Sequence, residues 1–201
     1  MYFAFCGIDG SGKTTVIDNI YEKLKKNYSV CKSKIKLNSI SVFSELSKKI
    51  YDNKLEFYRV LSPELIRISV AVDFASHYMN FSEKYKNYDI ILCDRHAICY
   101  QAYGLAYGVK DMTLANHIFE LINEPDLYFF FDIDVNKAVN RLKLRGDYVD
   151  EEENPELLNV VKNKYKYLFS KKRNVVYIDA SKSIEEITNK IIYEIYNRME
   201  I

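Results

Sequence analysis

The clearest candidates for chemistry lie near the start of the chain, in the stretch GIDGSGKT at residues 7–14. Gly7, Gly12, Lys13 and Thr14 satisfy the spacing G-x-x-x-x-G-K-[ST], and Gly10 adds a third flexible position. Glycines let such a loop turn its backbone N–H groups towards phosphate oxygens, while the next helix contributes its positive N-terminal end. The lysine reaches the β- and γ-phosphates, and the threonine hydroxyl is a ligand for Mg²⁺. The stretch predicts a site for a nucleoside triphosphate.

A second pair of candidates, Asp94 and Arg95, follows the apolar run YDIILC at residues 88–93. A carboxylate after a buried parallel strand faces the crevice in which open α/β sheets bind ligands. There Asp94 would support the magnesium shell, and Arg95 would hold an acceptor's phosphate or steady the transferring charge. The alternative is an ion pair that only closes the strand. A guanine pattern N-K-x-D and a D-x-x-G after the third strand are missing at suitable places, which argues against a switch GTPase.

Two further arginines, Arg141 and Arg145, are four residues apart and share one face of a helix that is predicted to end near Gly146. The polar stretch that follows, DYVDEEENP, is typical of a lid. Residues at about 145–155 are therefore predicted to close over the triphosphate and to exclude water. The alternative is an ordinary charged helix and an acidic loop.

Composition and charge limit the class of protein. With 201 residues, of which 48% are hydrophobic, the chain can bury one sizeable core. The formal charge is +1 and basic runs are matched by acidic ones, so no nucleic-acid partner is expected. The four cysteines lack metal-ligand spacing and are expected to be reduced, largely buried thiols. No apolar run is long enough to cross a membrane, so we expect a cytoplasmic protein without a membrane partner.

The elements that must position these residues follow from the hydrophobic pattern. Apolar runs bounded by turns alternate with stretches of helical period, which predicts a parallel sheet with crossover helices. The runs DIILC and LYFFF suit strands that are buried on both faces. The predicted strands are 2–7, 29–36, 88–93, 126–133 and 174–179. The predicted helices are about 13–27, 41–52, 62–84, 113–123, 135–145, 155–170 and 183–199, all within one domain, 1–201.

Taken together, these segments resemble the thymidylate kinase family of P-loop nucleoside monophosphate kinases. The stretches that carry the resemblance are FCGIDGSGKTT, ELIRISVAVDFASHY, ILCDRHAICYQAYG, RLKLRGD and YIDAS, which together run nearly from end to end. The resemblance implies an α/β P-loop NTPase fold, a three-layer sandwich with a five-stranded parallel sheet in the order 2-3-1-4-5. It also implies a homodimer, with Mg²⁺ as cofactor and with ATP and a nucleoside monophosphate as substrates. The implied reaction transfers the γ-phosphate of ATP to dTMP and gives dTDP.

The same resemblance implies roles for individual residues. Asp9 would approach the 3′-hydroxyl of the acceptor's sugar, Arg95 would contact its phosphate, and Tyr103 would lie against the sugar. Arg145, with Arg141, would be the lid arginine, because the loop carries Ser11 rather than an arginine. The catalytic residues are then Lys13, Arg95, Arg141 and Arg145, and the metal ligands are Thr14 and Asp94. The ATP-binding residues are Gly7, Asp9, Gly10, Ser11, Gly12, Lys13, Thr14, Thr15 and Ala180. The acceptor-binding residues are Asp9, Arg67, Val70, Asp73, Phe74, Arg95, Tyr100 and Tyr103.

Several acceptor-side positions depart from the family pattern. Phe74 stands where the middle helix usually carries the arginine of an Asp-Arg pair, Gly104 stands where a polar residue is common, and Tyr100 replaces a small polar residue. Because specificity depends on pairing buried polar groups, this pocket is expected to recognise its base in a different way. Arg67, two helical turns before Phe74, is either a substitute charge or an exposed helix arginine.

Two hypotheses for the function stay open. The first is a kinase whose acceptor is dTMP or another nucleotide, a nucleoside or a nucleotide-like metabolite. The second is a non-catalytic nucleotide-binding protein. Arg141 and Arg145 favour the enzyme, because a pure binder has little need of a lid that gathers charge around a transition state. His96 is assigned to packing or to lining the substrate pocket rather than to general-base catalysis, since an acceptor phosphate is already a competent nucleophile.

Overall fold

The fold is seen in a computed structural model that describes residues 1–54, 56–79, 81–146 and 154–199. Its sheet has five parallel strands in the order β2-β3-β1-β4-β5. The strands are β1 Tyr2–Cys6, β2 Val30–Lys34, β3 Ile90–Asp94, β4 Leu127–Asp132 and β5 Val175–Asp179. The helices of the described residues are α1 Lys13–Leu24, α2 Asn38–Tyr51, α3 Phe57–Val60, α4 Pro63–Tyr78, α5 Phe81–Tyr85, α6 Ala97–Ala106, α7 Thr113–Glu120, α8 Val135–Arg145, α9 Pro155–Phe169 and α10 Ile184–Met199. The predicted fold class and strand order are confirmed.

Three central strands place the site. β1 pairs with β3 on one side and with β4 on the other, with Phe5 opposite Asp94 and opposite Phe129. Helices cover both faces of the sheet, so the phenylalanines on one face of β1 and on both faces of β4 are buried. The carboxyl ends of these strands lie together at one edge, where the glycine loop leaves β1 and Asp94 ends β3.

Helices α3 to α6 differ from the prediction in ways that matter for the site. The stretch predicted as one helix over 62–84 is divided into α4, which ends at Tyr78, and α5, which begins at Phe81. The short α3 and the longer α6 were not predicted at all. α6 contains a glycine and several aromatic residues and has little helical periodicity, yet it carries the Tyr100 and Tyr103 side chains. Its first turn is held by the backbone N–H of His96, which donates to Cys99 Sγ at 3.4 Å.

A second, smaller core lies away from the sheet, between α4, α6 and α7. Its buried members include Val70, Phe74, Ala97, Met112 and Phe119. The start of α4 follows the predicted signal, because the Ser62 hydroxyl accepts a hydrogen bond from the backbone N–H of Leu65 at 3.2 Å and Pro63 occupies the first turn. This cluster holds α4 and α6 at a fixed distance, and the acceptor-side residues project from these two helices.

The described helices include none with the length and apolar character that crossing a membrane requires. The predicted lid, at about 145–155, falls largely on residues 147–153, which lie outside the described residues. Arg145, the last residue of α8, is described.

Candidate active site

The glycine loop is closed around the side chain of Lys13. Its ammonium donates to the carbonyl oxygens of Gly7 at 3.0 Å and Ile8 at 2.8 Å, and to the Ser11 hydroxyl at 3.1 Å. Lys13 is only 6% exposed, and burial together with the charge of Arg95 lowers its pKa. These are weak, neutral acceptors, so phosphate oxygens can replace them at this cation.

Glycine is required at Gly10 by geometry as well as by backbone conformation. Gly10 has a φ of +76°, and a Cβ atom there would lie 2.3 Å from the carbonyl oxygen of Ala138 in α8. The loop therefore packs directly against the helix that carries Arg141 and Arg145. A side chain at residue 10 would push α8 away from the phosphate site.

Thr14 and Asp94, the two predicted metal ligands, lie together beside the glycine loop. The Thr14 hydroxyl donates to Asp94 Oδ2 at 3.2 Å, and Lys34 Nζ lies 3.6 Å from the same oxygen. Asp94 is 9% exposed at the end of β3. A hydroxyl and a carboxylate oxygen beside a phosphate site are the donors that Mg²⁺ prefers, so the residues present fit this ion.

Arg95 adopts a left-handed backbone conformation, with φ +75°, directly after β3. Its guanidinium forms an ion pair with Asp9 Oδ1, and the Tyr103 hydroxyl donates to Asp9 Oδ2 at 2.7 Å. Burial alone would raise the pKa of Asp9, but the charges of Arg95 and Lys13 and the Tyr103 hydrogen bond hold it well below its usual range. Asp9 is thus a fixed anion that orients Arg95. The structure brings together Asp9, Arg95 and Tyr103, the three residues for which the family resemblance implies contacts with the acceptor's sugar and phosphate.

Three cavities run in series along this edge of the sheet. A cleft of about 350 Å³ lies between the glycine loop, α8 and the segment after β5 and is named the donor cleft after its predicted role. A cavity of about 140 Å³ lies over Lys13, Thr14 and Asp94 and is named the phosphate cavity. A cleft of about 280 Å³ lies between α4 and α6 and is named the acceptor cleft. The donor cleft and the phosphate cavity share Gly10, Gly12, Thr15 and Arg145, and the phosphate cavity and the acceptor cleft share Asp9 and Arg95.

The two arginines of α8 lie on the donor side. Arg141 donates to the carbonyl oxygen of Ala180 at 3.2 Å and lines the donor cleft. Arg145 lines both the donor cleft and the phosphate cavity, so it stands at their junction. Ala180 also lines the donor cleft, as does Ser11 of the loop.

Comparison with known proteins agrees with this geometry. Residues 5–191 match the family described as thymidylate kinase. The chain belongs to the thymidylate kinase family. It is similar to probable thymidylate kinases of Sulfurisphaera tokodaii, with 31% identity over 95% of this chain and 93% of the relative, and of Sulfolobus acidocaldarius, with 32% identity over 96% and 97%. A thymidylate kinase of Finegoldia magna is 27% identical over the full length of both chains.

Membership of the thymidylate kinase family confirms the predicted enzyme class, a nucleoside monophosphate kinase. Transferase, kinase and ATP-binding character follow from the same assignment.

The structure distributes the predicted acceptor residues unevenly. Arg67, Val70 and Tyr100 line the acceptor cleft together with Asp9, Arg95 and Tyr103. Asp73 instead accepts hydrogen bonds from the backbone N–H and hydroxyl of Ser39, at 2.9 and 2.5 Å, and so holds the start of α2. Phe74 has no exposed surface and packs edge-on against Tyr100, with the ring centroids 4.6 Å apart. Asp73 and Phe74 are not among the residues that line the cleft; Phe74 lies one layer behind it.

The sequence analysis did not select several residues that line the three cavities. Lys34 lines the phosphate cavity, Lys182 lines the donor cleft, and Leu37, Ile40, Tyr58 and Tyr107 line the acceptor cleft. Lys34 ends β2 beside Asp94, so the strand-end rule that selected Asp94 would also have found it. Tyr58 and Tyr107 stand in α3 and just after α6, the two helices that the pattern did not reveal.

Proposed function

We propose that this protein transfers the γ-phosphate of Mg-ATP to dTMP and produces ADP and dTDP. The observation that carries the proposal is the series of three cavities, in which a donor cleft and an acceptor cleft meet at one small phosphate cavity. A hydrolase would need only the donor half. A second cleft that shares Asp9 and Arg95 with the phosphate cavity supports transfer to a bound acceptor.

The donor side would bind ATP through the glycine loop. Backbone N–H groups of residues 10–15 would contact the phosphates, with Lys13 moving from the loop carbonyls to the β- and γ-phosphates. The nucleoside would lie in the donor cleft against Ala180 and the stem of Arg141. Gly7 lines none of the three cavities, but its carbonyl oxygen helps to hold Lys13 in place.

Thr14 and Asp94 would hold Mg²⁺, directly or through water. When bound, the ion neutralises charge on the β- and γ-phosphate oxygens. Lys34, beside Asp94, would limit the net negative charge of this corner.

The acceptor side would hold the monophosphate at Arg95 and the sugar at Asp9 and Tyr103. An oxygen of the acceptor phosphate attacks the γ-phosphorus, and the bond from that phosphorus to the β-phosphate oxygen breaks to release ADP. No protein nucleophile is required. Catalysis is alignment plus neutralisation of spreading charge by Lys13, Arg95 and Arg145, with Arg141 beside them.

We further propose a cytoplasmic homodimer that acts as a single domain over residues 1–201, with the lid at about 145–155. Leu65, Val72 and Met79 support the dimer, because they are spaced by seven residues on one face of α4 and its end and are all at least 46% exposed. Light scattering of the purified protein tests this proposal.

The experiment that tests the reaction is initial-rate phosphate transfer from Mg-ATP by the purified protein. Acceptors are deoxynucleoside and ribonucleoside monophosphates and the matching nucleosides, with a control that contains no acceptor. Formation of dTDP with equimolar ADP is the expected result. Turnover on a nucleoside alone would refute the monophosphate assignment, and ADP formation that no acceptor increases would refute transfer.

A further inference from the structure

Arg67 is a buried cation that lines the acceptor cleft but not the phosphate cavity. Arg95 lines both the cleft and the phosphate cavity, whereas Arg67 lines the cleft alone. Arg67 is 9% exposed, and it forms no hydrogen bond or ion pair with any residue that the structure describes. Its buried Nε has no hydrogen-bond acceptor within the described part of the chain. An unpaired buried charge is costly, so this position calls for a ligand that accepts hydrogen bonds.

Neighbouring residues leave room for the Arg67 side chain and contact its guanidinium. The guanidinium carbon lies 5.3 Å from the centre of the Tyr107 ring. A Cβ atom on Gly104 would come within 3.3 Å of Arg67 Cδ and 2.9 Å of Met112 Cε, so the missing side chain leaves room for the arginine stem. A guanidinium that lies over a ring keeps the N–H groups of its edge available for a planar partner.

We propose that Arg67 reads the base of the acceptor and selects bases that present a carbonyl oxygen over bases that present an amino group at that edge. The inference rests on the proposed function, because it takes the acceptor's phosphate to lie at Arg95 and its base to extend towards Arg67. A guanidinium only donates hydrogen bonds. A carbonyl oxygen of the base accepts a hydrogen bond from the guanidinium. An amino group at the same place also donates, so the N–H groups of both the arginine and the base would be left without acceptors. Among pyrimidines, the 4-keto nucleotides dTMP and dUMP are selected over the 4-amino nucleotide dCMP.

A phosphate is a less suitable partner for this arginine. Phosphate charge is already met by Lys13 and Arg95 at the phosphate cavity, which Arg67 does not line. The aromatic residues Tyr58, Tyr100 and Tyr107 lie near Arg67 and line the same cleft. Aromatic walls around a group that only donates hydrogen bonds suit a flat base with an acceptor at its edge.

The test combines equilibrium binding and initial rates for dTMP, dUMP and dCMP with the wild type, Arg67→Met and Arg67→Lys. Arg67→Met keeps much of the stem and removes every donor, and Arg67→Lys keeps the charge but loses the planar fork. Arg59→Met, an exposed arginine on the neighbouring α3, is the matched control. In Arg67→Met, dTMP affinity and kcat/KM are expected to fall about 10- to 100-fold, dCMP binding is expected to change little, and Arg67→Lys is expected to lie between.

The melting temperature of the ligand-free protein distinguishes a binding role for Arg67 from a structural one, because removing a structural arginine would lower it. Because the ligand-free protein carries the cost of an unpaired buried charge, ligand-free Arg67→Met is expected to melt at a temperature equal to or above that of the wild type. Equal losses for dTMP and dCMP, or a clear loss of ligand-free stability, would overturn the inference. Selective dTMP binding without any phosphate transfer would remove the proposed function and leave this inference standing, so the two failures are distinguishable.

Discussion

The donor and acceptor halves of the site are built in different ways. On the donor side, one continuous loop and the helix after it supply the phosphate contacts, and Lys13 is held by carbonyl oxygens of its own loop. On the acceptor side, side chains come from α4, α6 and the segment after α6, and the second core helps to hold these elements together. Phosphate chemistry therefore depends on a short stretch of sequence, whereas choice of acceptor depends on how distant helices pack.

The strongest test of this division is Lys13→Met. Removing the cation that neutralises the transferring group is expected to lower kcat about 100- to 1,000-fold. If the halves are independent, the affinity for dTMP should change by less than about twofold. Initial rates and equilibrium dTMP binding measure the two effects separately.

The control for that variant is Lys25→Met, since Lys25 is half-exposed and pairs with Glu22 on the surface of α1. It is expected to keep wild-type rates. A loss of dTMP affinity in Lys13→Met as large as the loss of kcat would show that the two clefts act as one unit. It would contradict the independence of the donor and acceptor halves.

The next test concerns His96, which lies where β3 passes into α6 and so joins the two halves. Tyr2, Tyr78 and Tyr128 surround its ring, with Glu124 and Lys172 as the nearby charges. Burial lowers the pKa of His96 to about 4. Between about pH 6.5 and pH 4 the unfolded chain binds a proton that the folded chain does not, so stability falls as the pH falls.

His96 is expected to lower the free energy of unfolding by roughly 3 kcal/mol between about pH 6.5 and pH 4. His96→Gln cannot titrate and should lose that much less stability between pH 7 and pH 4 in urea unfolding. His117→Gln, on the exposed face of α7, is the matched control and should follow the wild type. Parallel curves for His96→Gln and the wild type would contradict the prediction.

A third test asks whether Asp9, which lines both the phosphate cavity and the acceptor cleft, acts mainly on dTMP or on ATP. Asp9→Asn keeps the size of the side chain but removes the charge that pairs with Arg95, so Arg95 loses its fixed orientation. We expect KM for dTMP to rise about tenfold while KM for ATP changes less, because two charge-assisted contacts weaken on the acceptor side. Asp18→Asn, which removes a surface pair with Lys32, should change neither constant. A larger effect on ATP than on dTMP would assign Asp9 to the donor half.

The donor half of the site could be predicted from the sequence more fully than the acceptor half. The glycine loop, the strand ends and the two arginines of α8 could be selected as candidates because each is recognised from neighbouring residues or from the period of one element. Phe74 was placed at the acceptor because it follows Asp73 in the family pattern, but its phase on α4 turns it towards Phe119 and the second core. Tyr58 and Tyr107 belong to no local motif, so only the packing of α3, α4 and α6 brings them to the cleft.

The smallest expected effect comes from Gly104→Ala, which tests whether packing alone tunes the acceptor half. The added methyl group would lie 2.9 Å from Met112 Cε and 3.3 Å from Arg67 Cδ, and the flexible end of Met112 can yield. We expect KM for dTMP to rise about threefold, with KM for ATP unchanged, as Arg67 is displaced by a few tenths of an ångström. Stability should not fall by a matching amount, because alanine in a helix is favoured over glycine by up to about 1 kcal/mol. Met112→Ala in the same chain reopens the space and should return KM towards the wild-type value; if the double variant binds dTMP no better than Gly104→Ala, the displacement of Arg67 is not the cause.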